Sequence, residues 1–159
     1  YEAKALADAH GYAYVQAMTQ FALGWCQHSL SSGDVACTGL DAMRDGLVAF
    51  RATGAGIAVP FFQTVLAEAL ADGGALNEAR ELLRAALLQI ELGGERWHEA
   101  ESYRVLARVL RAQHPDDPAQ ALASVERAIE LARAQGARRW LARAQATHAV
   151  ITASLSPLA

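Results

Sequence analysis

Four glycines set the frame of this chain. Gly11, Gly54, Gly94 and Gly136 stand 43, 40 and 42 residues apart, and each closes one apolar-periodic segment and opens another. Punctuation at a fixed period of this size builds stacked copies of one supersecondary unit, because a single unit cannot bury its apolar face alone. Between the glycines, apolar residues recur at three- and four-residue spacing among Ala, Leu, Glu, Arg and Gln, the strong helix formers. No stretch alternates as a strand does. Further breaks at "SSGD" (31–34), "TGAG" (53–56), "DGG" (72–74) and "HPDDP" (114–118) hold Gly or Pro where a helix stops. The pattern predicts helices over 2–9, 12–31, 35–53, 57–72, 75–92, 95–113, 117–135 and 138–154. Within "HPDDP" it predicts an N-cap at the aspartates and Pro118 at the first helical position.

A second pattern runs inside each period. "LAEALADGGALNEARELLRAAL" (66–87) lies over "LARVLRAQHPDDPAQALASVERAI" (106–129) once two residues are allowed for the longer turn. Leu66, Ala67 and Leu70 then match Leu106, Ala107 and Leu110, and Ala79, Leu83 and Ala86 match Ala121, Val125 and Ala128. Leu23 and Gly24, followed by Gly39, Met43 and Gly46, fill the same places in the earlier unit. Two antiparallel helices approach closely only where both present small residues, with larger neighbours filling the spaces between. This alternation resembles the tetratricopeptide (TPR) repeat, although the period is longer than the usual one of roughly 34 residues. The stretches "ATGAGIAVPFFQTVLAEAL", "GGERWHEAESYRVLARVL" and "ERAIELARAQGARRW" are similar to the C-terminal repeat region of bacterial STAND-type ATPases. In that group a nucleotide-driven switch joins an effector, commonly an adenylate or guanylate cyclase or a LuxR-type DNA-binding domain, to a TPR-like sensor. The resemblance implies an all-α fold, an α-solenoid of antiparallel helical hairpins with about three repeats plus flanking helices. It also implies a non-catalytic protein–protein interaction or sensor module of a larger signalling or transcriptional regulator.

Composition sets the outer limits. With 159 residues, 53% apolar and 19% charged, the chain is expected to form one domain over 1–159. It lacks an initiator Met and starts in mid-pattern at "YEAKALADAHG", so it is expected to be a piece of a longer polypeptide. A net charge of −3 and a pI near 5.9 offer no broad basic field, and neither nucleic acid nor membrane is expected as a partner. Cys26 and Cys37 make no disulfide framework, which fits a cytoplasmic protein. No phosphate-binding loop, dinucleotide fingerprint, nucleophile elbow or Cys–His pair is present. "GERWHEAES" (94–102) has the residue mix of a metal site, but His98 lacks a second histidine one turn away. It is read instead as a helix stop followed by two turns of the next helix, with Trp97 packing at the junction and Glu95 and Glu99 near a helix N-terminus. No metal and no cofactor are expected.

Stacked hairpins line one concave wall with their first helices, a surface suited to a peptide or a partner helix. With Gly24, Ala67 and Ala107 as phase markers, the wall comprises Met18, Phe21, Trp25 and His28, then Phe61, Thr64 and Glu68, then Glu101, Arg104, Arg108 and Arg111. It runs from aromatic to basic and would suit a protein or peptide with an acidic portion, or the parent's own effector domains. Equally, Phe21, Trp25 and Phe61 could be core, and the arginines a solvated face with Glu101 as ion partner. Arg138, Arg139 and Arg143 form a small basic cluster read as a solvated helix face. A second class of function is a small helical enzyme or metal protein with a site built from His28, Glu68, Glu101 and Arg104. A third feature is the apolar end of a solenoid, which can pair with a copy of itself as a homodimer.

Overall fold

All four marker glycines adopt the left-handed conformation, with φ of +67° at Gly11, +78° at Gly54, +73° at Gly94 and +65° at Gly136. A side chain resists that backbone, which is why the stop signal at these points is glycine. At Gly94 the backbone N–H donates to the carbonyl of Ile90 and closes the last turn of its helix. The computed structural model describes residues 2, 5, 6, 9, 11–30 and 34–154; of the expected helix at 2–9, residues 2, 5, 6 and 9 are helical and the other four lie outside the described residues.

Among the described residues the chain is all-helical, with seven helices and no strand. They are α1 (Ala13–Leu30), α2 (Asp34–Ala52), α3 (Val59–Asp72), α4 (Leu76–Gly93), α5 (Glu99–Gln113), α6 (Ala119–Ala134) and α7 (Arg138–Ala153). Helices pack most extensively in consecutive pairs, α1 with α2, α3 with α4, and α5 with α6, while α7 lies against α6 and α5. The first helices also touch one another in series, α1 to α3, α3 to α5 and α5 to α7, which brings four helices to one side of the molecule. None of the described helices is long and apolar enough to cross a membrane.

Small residues mediate the pairings. Ala67, Ala79, Leu83, Ala86, Ala107, Ala121, Val125 and Ala128 are all fully buried, so the two aligned units present corresponding side chains to their interiors. The main core joins α1 to α5 through Phe21, Met43, Phe50, Phe62, Leu66, Leu83 and Val105. A smaller one unites α5, α6 and α7 through Leu110, Val125 and Ile151. Ala79→Leu or Ala121→Leu should therefore cost about 1–3 kcal/mol by forcing packed helices apart. Exposed Gln120→Leu should change stability far less, and urea titration of the three variants measures the contrast.

Two helices start later than the periodicity predicts. After Gly54 and again after Gly94 the chain makes a turn, at Ile57-Ala58 and at Trp97-His98, before α3 and α5 begin. Ala58 and His98 turn inward there, but Ile57 is 75% exposed and Trp97 about half exposed, so the apolar letters at these turns do not mark the helix start. Pro118 likewise sits one place before α6, at its cap, while the Asp117 carboxylate accepts the N–H of Ala119 at 3.2 Å.

Candidate ligand groove

The serial contact of first helices leaves a groove of about 350 Å³ between them. Helix α1 supplies Phe21 and Trp25, and α3 supplies Phe61, Phe62, Thr64 and Glu68. His98 and Glu101 come from the start of α5, and Arg139, Trp140 and Arg143 from α7. The apolar end is an aromatic series. Phe62 packs edge-on against Phe21 at 4.8 Å and Phe50 at 4.9 Å between centroids, Phe61 meets Trp97 at 5.2 Å, and Trp97 meets His98 at 4.5 Å. Such pairs hold their rings in defined orientations and give the groove rigid walls. Trp25 is about half exposed and stands at the rim.

The polar end is an ion network. Arg104 donates to both oxygens of Glu101, at 2.8 and 2.7 Å, and also to Glu68. Arg108 bridges Glu68 at 2.8 Å and Asp72 at 2.7 Å, and Arg143 reaches Glu101 at 3.0 Å and Glu68 at 3.2 Å. Burial alone would push the Glu68 carboxyl up, but Arg104, Arg143 and Arg108 together outweigh it and hold the group below the ordinary carboxylate range. Three guanidiniums thus face three carboxylates and cancel. Among the described residues Arg139, exposed beside the groove, makes no ion pair.

His98 is the unusual member of the site. It is fully buried, and neither ring nitrogen makes a well-formed hydrogen bond. Burial lowers its pKa, opposed by the Glu95 carboxylate and by a weaker contact with the Pro60 carbonyl, so the imidazole is held neutral. Glu95 does not stabilise its own helix. Its carboxylate accepts the N–H of Ala58 at 3.0 and 3.1 Å and the indole N–H of Trp97 at 2.8 Å. Ala58, at φ +65°, is the described non-glycine residue in left-handed backbone, so Glu95 anchors a strained turn one unit earlier. The Trp97 ring, about half exposed, closes over Phe61 and His98.

Several residues expected along a continuous wall occupy other places. Phe21 and Thr64, at 4% and 2% exposure, form the floor of the groove, and Thr64 shares a 2.8 Å hydroxyl contact with Ser102 of α5. Met18 packs against the main core. His28 is half-buried and outside the groove lining. Arg104 was expected to face a partner, but it is only 4% exposed and spent on Glu68 and Glu101. Arg108 is tied to Glu68 and Asp72. Arg111 bonds the Pro115 carbonyl at 3.0 Å and the Ser154 hydroxyl at 3.0 Å, and lines a separate open depression against α7. The reason is common to Arg104 and Arg108: their acidic partners, Glu68 and Asp72, stand on the first helix of the preceding unit and lie within reach only after stacking, so the linear spacing does not reveal them.

The α7 contribution was not expected as part of a wall. Trp140 and Arg143, one turn apart, follow Gly136 as groove residues follow the earlier marker glycines, and Arg143 lies over the Trp140 ring at 5.9 Å. That phase relation was the available signal. Among the described residues no group of three or more His, Cys, Asp or Glu side chains is placed to hold a metal ion.

His98→Leu, close in volume, removes two buried polar atoms without a well-formed hydrogen bond, so the variant should melt at the same or a higher temperature at neutral pH. The pH dependence has a definite sign. The folded imidazole pKa lies below its ordinary 6.5, so the unfolded chain takes up a proton first and stability falls as pH drops below that value. Melts at pH 7.5 and 5.5 should show a drop in wild type that His98→Leu lessens. Equal drops would disconnect His98 from the acid sensitivity.

Compared with protein-family models, curated proteins and solved structures, the chain finds no significant match.

Proposed function

We propose that this chain is a non-catalytic, TPR-like interaction or sensor module of a larger bacterial regulator of the STAND type. The carrying observation is the groove itself, which draws its lining from four successive first-position helices rather than from one hairpin. A surface spread over several repeats suits an elongated or wedge-shaped partner, and its occupancy can alter the angle between neighbouring hairpins. The sequence likeness to STAND sensor regions supplies the parent class, with a cyclase or LuxR-type effector as the output. The apolar wall around Trp25 and Phe61 supplies the anchoring end, while the arginine network supplies rigidity.

The enzyme reading draws little support from the same site. Glu68, Glu101 and Arg104 do converge, but they neutralise one another, and the lowered Glu68 pKa is opposite to what a general acid needs.

The test is a calorimetric titration of the chain with the remaining domains of its parent polypeptide, run with wild type and with Trp25→Ala and Trp140→Ala. Both variants should keep their melting temperature within a few degrees and lose affinity by tenfold or more, as anchors in a binding groove do. Wild-type affinity in both folded variants would place the interaction elsewhere on the chain.

A further inference from the structure

Among the described residues α7 is a first helix without a second. Thirteen residues after each marker glycine stands a small residue, Gly24, Ala67, Ala107 or Ala149, and six residues after it stands Ala17, Pro60, Ala100 or Ala142. In the first three units both positions are buried. The later one packs on the helix that follows: a Cβ at Gly24 would strike the Gly39 carbonyl, Ala67 shares a core with Ala79 and Leu83, and Ala107 shares one with Ala121 and Val125. In the fourth unit Ala142 and Ala149 are both exposed. The polar residues beside them are compatible with docking. Gln145 holds the place of Gln63, which is 1% exposed, and the Thr152 hydroxyl, in the place of Leu70 and Leu110, is already bonded to the carbonyls of His148 and Ala149.

We infer that this outer face of α7 docks a partner helix built like α2, α4 and α6, with small residues at its first and eighth positions and a bulky apolar residue at the fifth. The inference rests on the hairpin-repeat reading above, and the face is separate from the groove, to which α7 gives Arg139, Trp140 and Arg143. What covers it is set by the contacts that the chain makes three times. Gly39, Met43 and Gly46 carry the pattern in α2, Ala79, Leu83 and Ala86 in α4, and Ala121, Val125 and Ala128 in α6, and all are buried. Small residues facing small ones let the axes close, and the bulky residue fills the space between. An antiparallel partner also brings the negative end of its dipole to Arg138, which is exposed one turn before Ala142 on the same face. A second copy is the poorer occupant, because its three helices of this pattern are already docked and it has only α7 to offer.

The test is a fluorescence-anisotropy titration of the full chain into a labelled peptide with the sequence of residues 117–136, which spans α6. The peptide should bind saturably, one per chain, with a Kd on the order of 10–100 µM, weak because an isolated helix of this length must be ordered on binding. Ala149→Arg and Ala142→Arg change exposed positions to another strong helix former, so each should keep its melting temperature within a few degrees and weaken binding tenfold or more. Ala121→Glu in the peptide should do the same, while Trp25→Ala in the chain should bind as wild type does. No saturable binding up to about 1 mM overturns the inference, as does wild-type affinity in the folded arginine variants. Loss of binding in Trp25→Ala would place the peptide in the groove and overturn it too. Sedimentation of the chain alone covers the second copy: a dimer that Ala149→Arg dissolves assigns the face to self-pairing instead. If the chain captures its parent's domains through Trp25 while ignoring the peptide, the α7 site is lost and the interaction-module reading stands.

Discussion

Gly24→Val will destabilise the chain by about 3 kcal/mol or more, at the top of the range for overpacking. A Cβ at Gly24 would lie 2.6 Å from the Gly39 carbonyl oxygen and 2.8 Å from the Met43 amide nitrogen. Both are backbone atoms, so no side chain can swing aside and the helices themselves must separate. The same closeness holds along the hairpin, where a Cβ at Gly39 would meet the His28 amide at 2.6 Å and one at Gly46 would meet the Phe21 amide at 2.7 Å. Separation at one point therefore weakens all three. Valine also gains little helix propensity over glycine compared with alanine, so no large offset is available. Gly93→Ala is the control, because a Cβ there meets nothing within 4 Å. It should be neutral or slightly stabilising. Thermal melts followed by circular dichroism will separate the two, and similar melting temperatures would show that the α1–α2 contact is looser than its geometry.

The same glycines explain which parts of the fold were legible. Gly11, Gly54, Gly94 and Gly136 gave the unit boundaries because left-handed backbone demands that residue type wherever it occurs. The aligned small residues, Ala79 with Ala121 and Ala86 with Ala128, gave the buried faces because close helix packing imposes size locally. Side chains whose partners lie one unit away escaped that logic. Nothing in the spacing around Arg104 says that Glu68, 36 residues earlier, will neutralise it. His98 escaped for the opposite reason. Its neighbours marked a helix stop and start with Trp97 packed at the junction, and nothing in their order said that Trp97 and Phe61 would pack on the imidazole itself. The groove was legible as a wall and illegible as a balance of charge, because the first depends on phase and the second on stacking.

Charge balance is where the second large effect is expected. Glu101→Leu should cost about 3–5 kcal/mol, since it strands a buried guanidinium. The Arg104 and Glu101 side chains are 5% and 9% exposed, and Glu101 supplies two of the three hydrogen bonds that Arg104 makes. Without it Arg104 keeps only Glu68, which Arg108 and Arg143 also claim. Arg44→Ala provides the contrast. It breaks an equally short pair with Glu78, but the side chains there are 37% and 45% exposed, and such pairs contribute about 0–1 kcal/mol. Raising salt should shrink that small loss and leave the Glu101→Leu loss nearly whole, because buried pairs are weakly screened. The decisive variant is the double replacement, Glu101→Leu with Arg104→Leu. It removes the stranded charge along with its partner, and apolar replacement of a whole buried pair is often neutral or stabilising. Urea titrations should find most of the single variant's loss recovered. A double variant as unstable as Glu101→Leu alone would mean that these side chains matter for their shape at the α3–α5 contact, and that the paired charges are incidental to how the groove is held open.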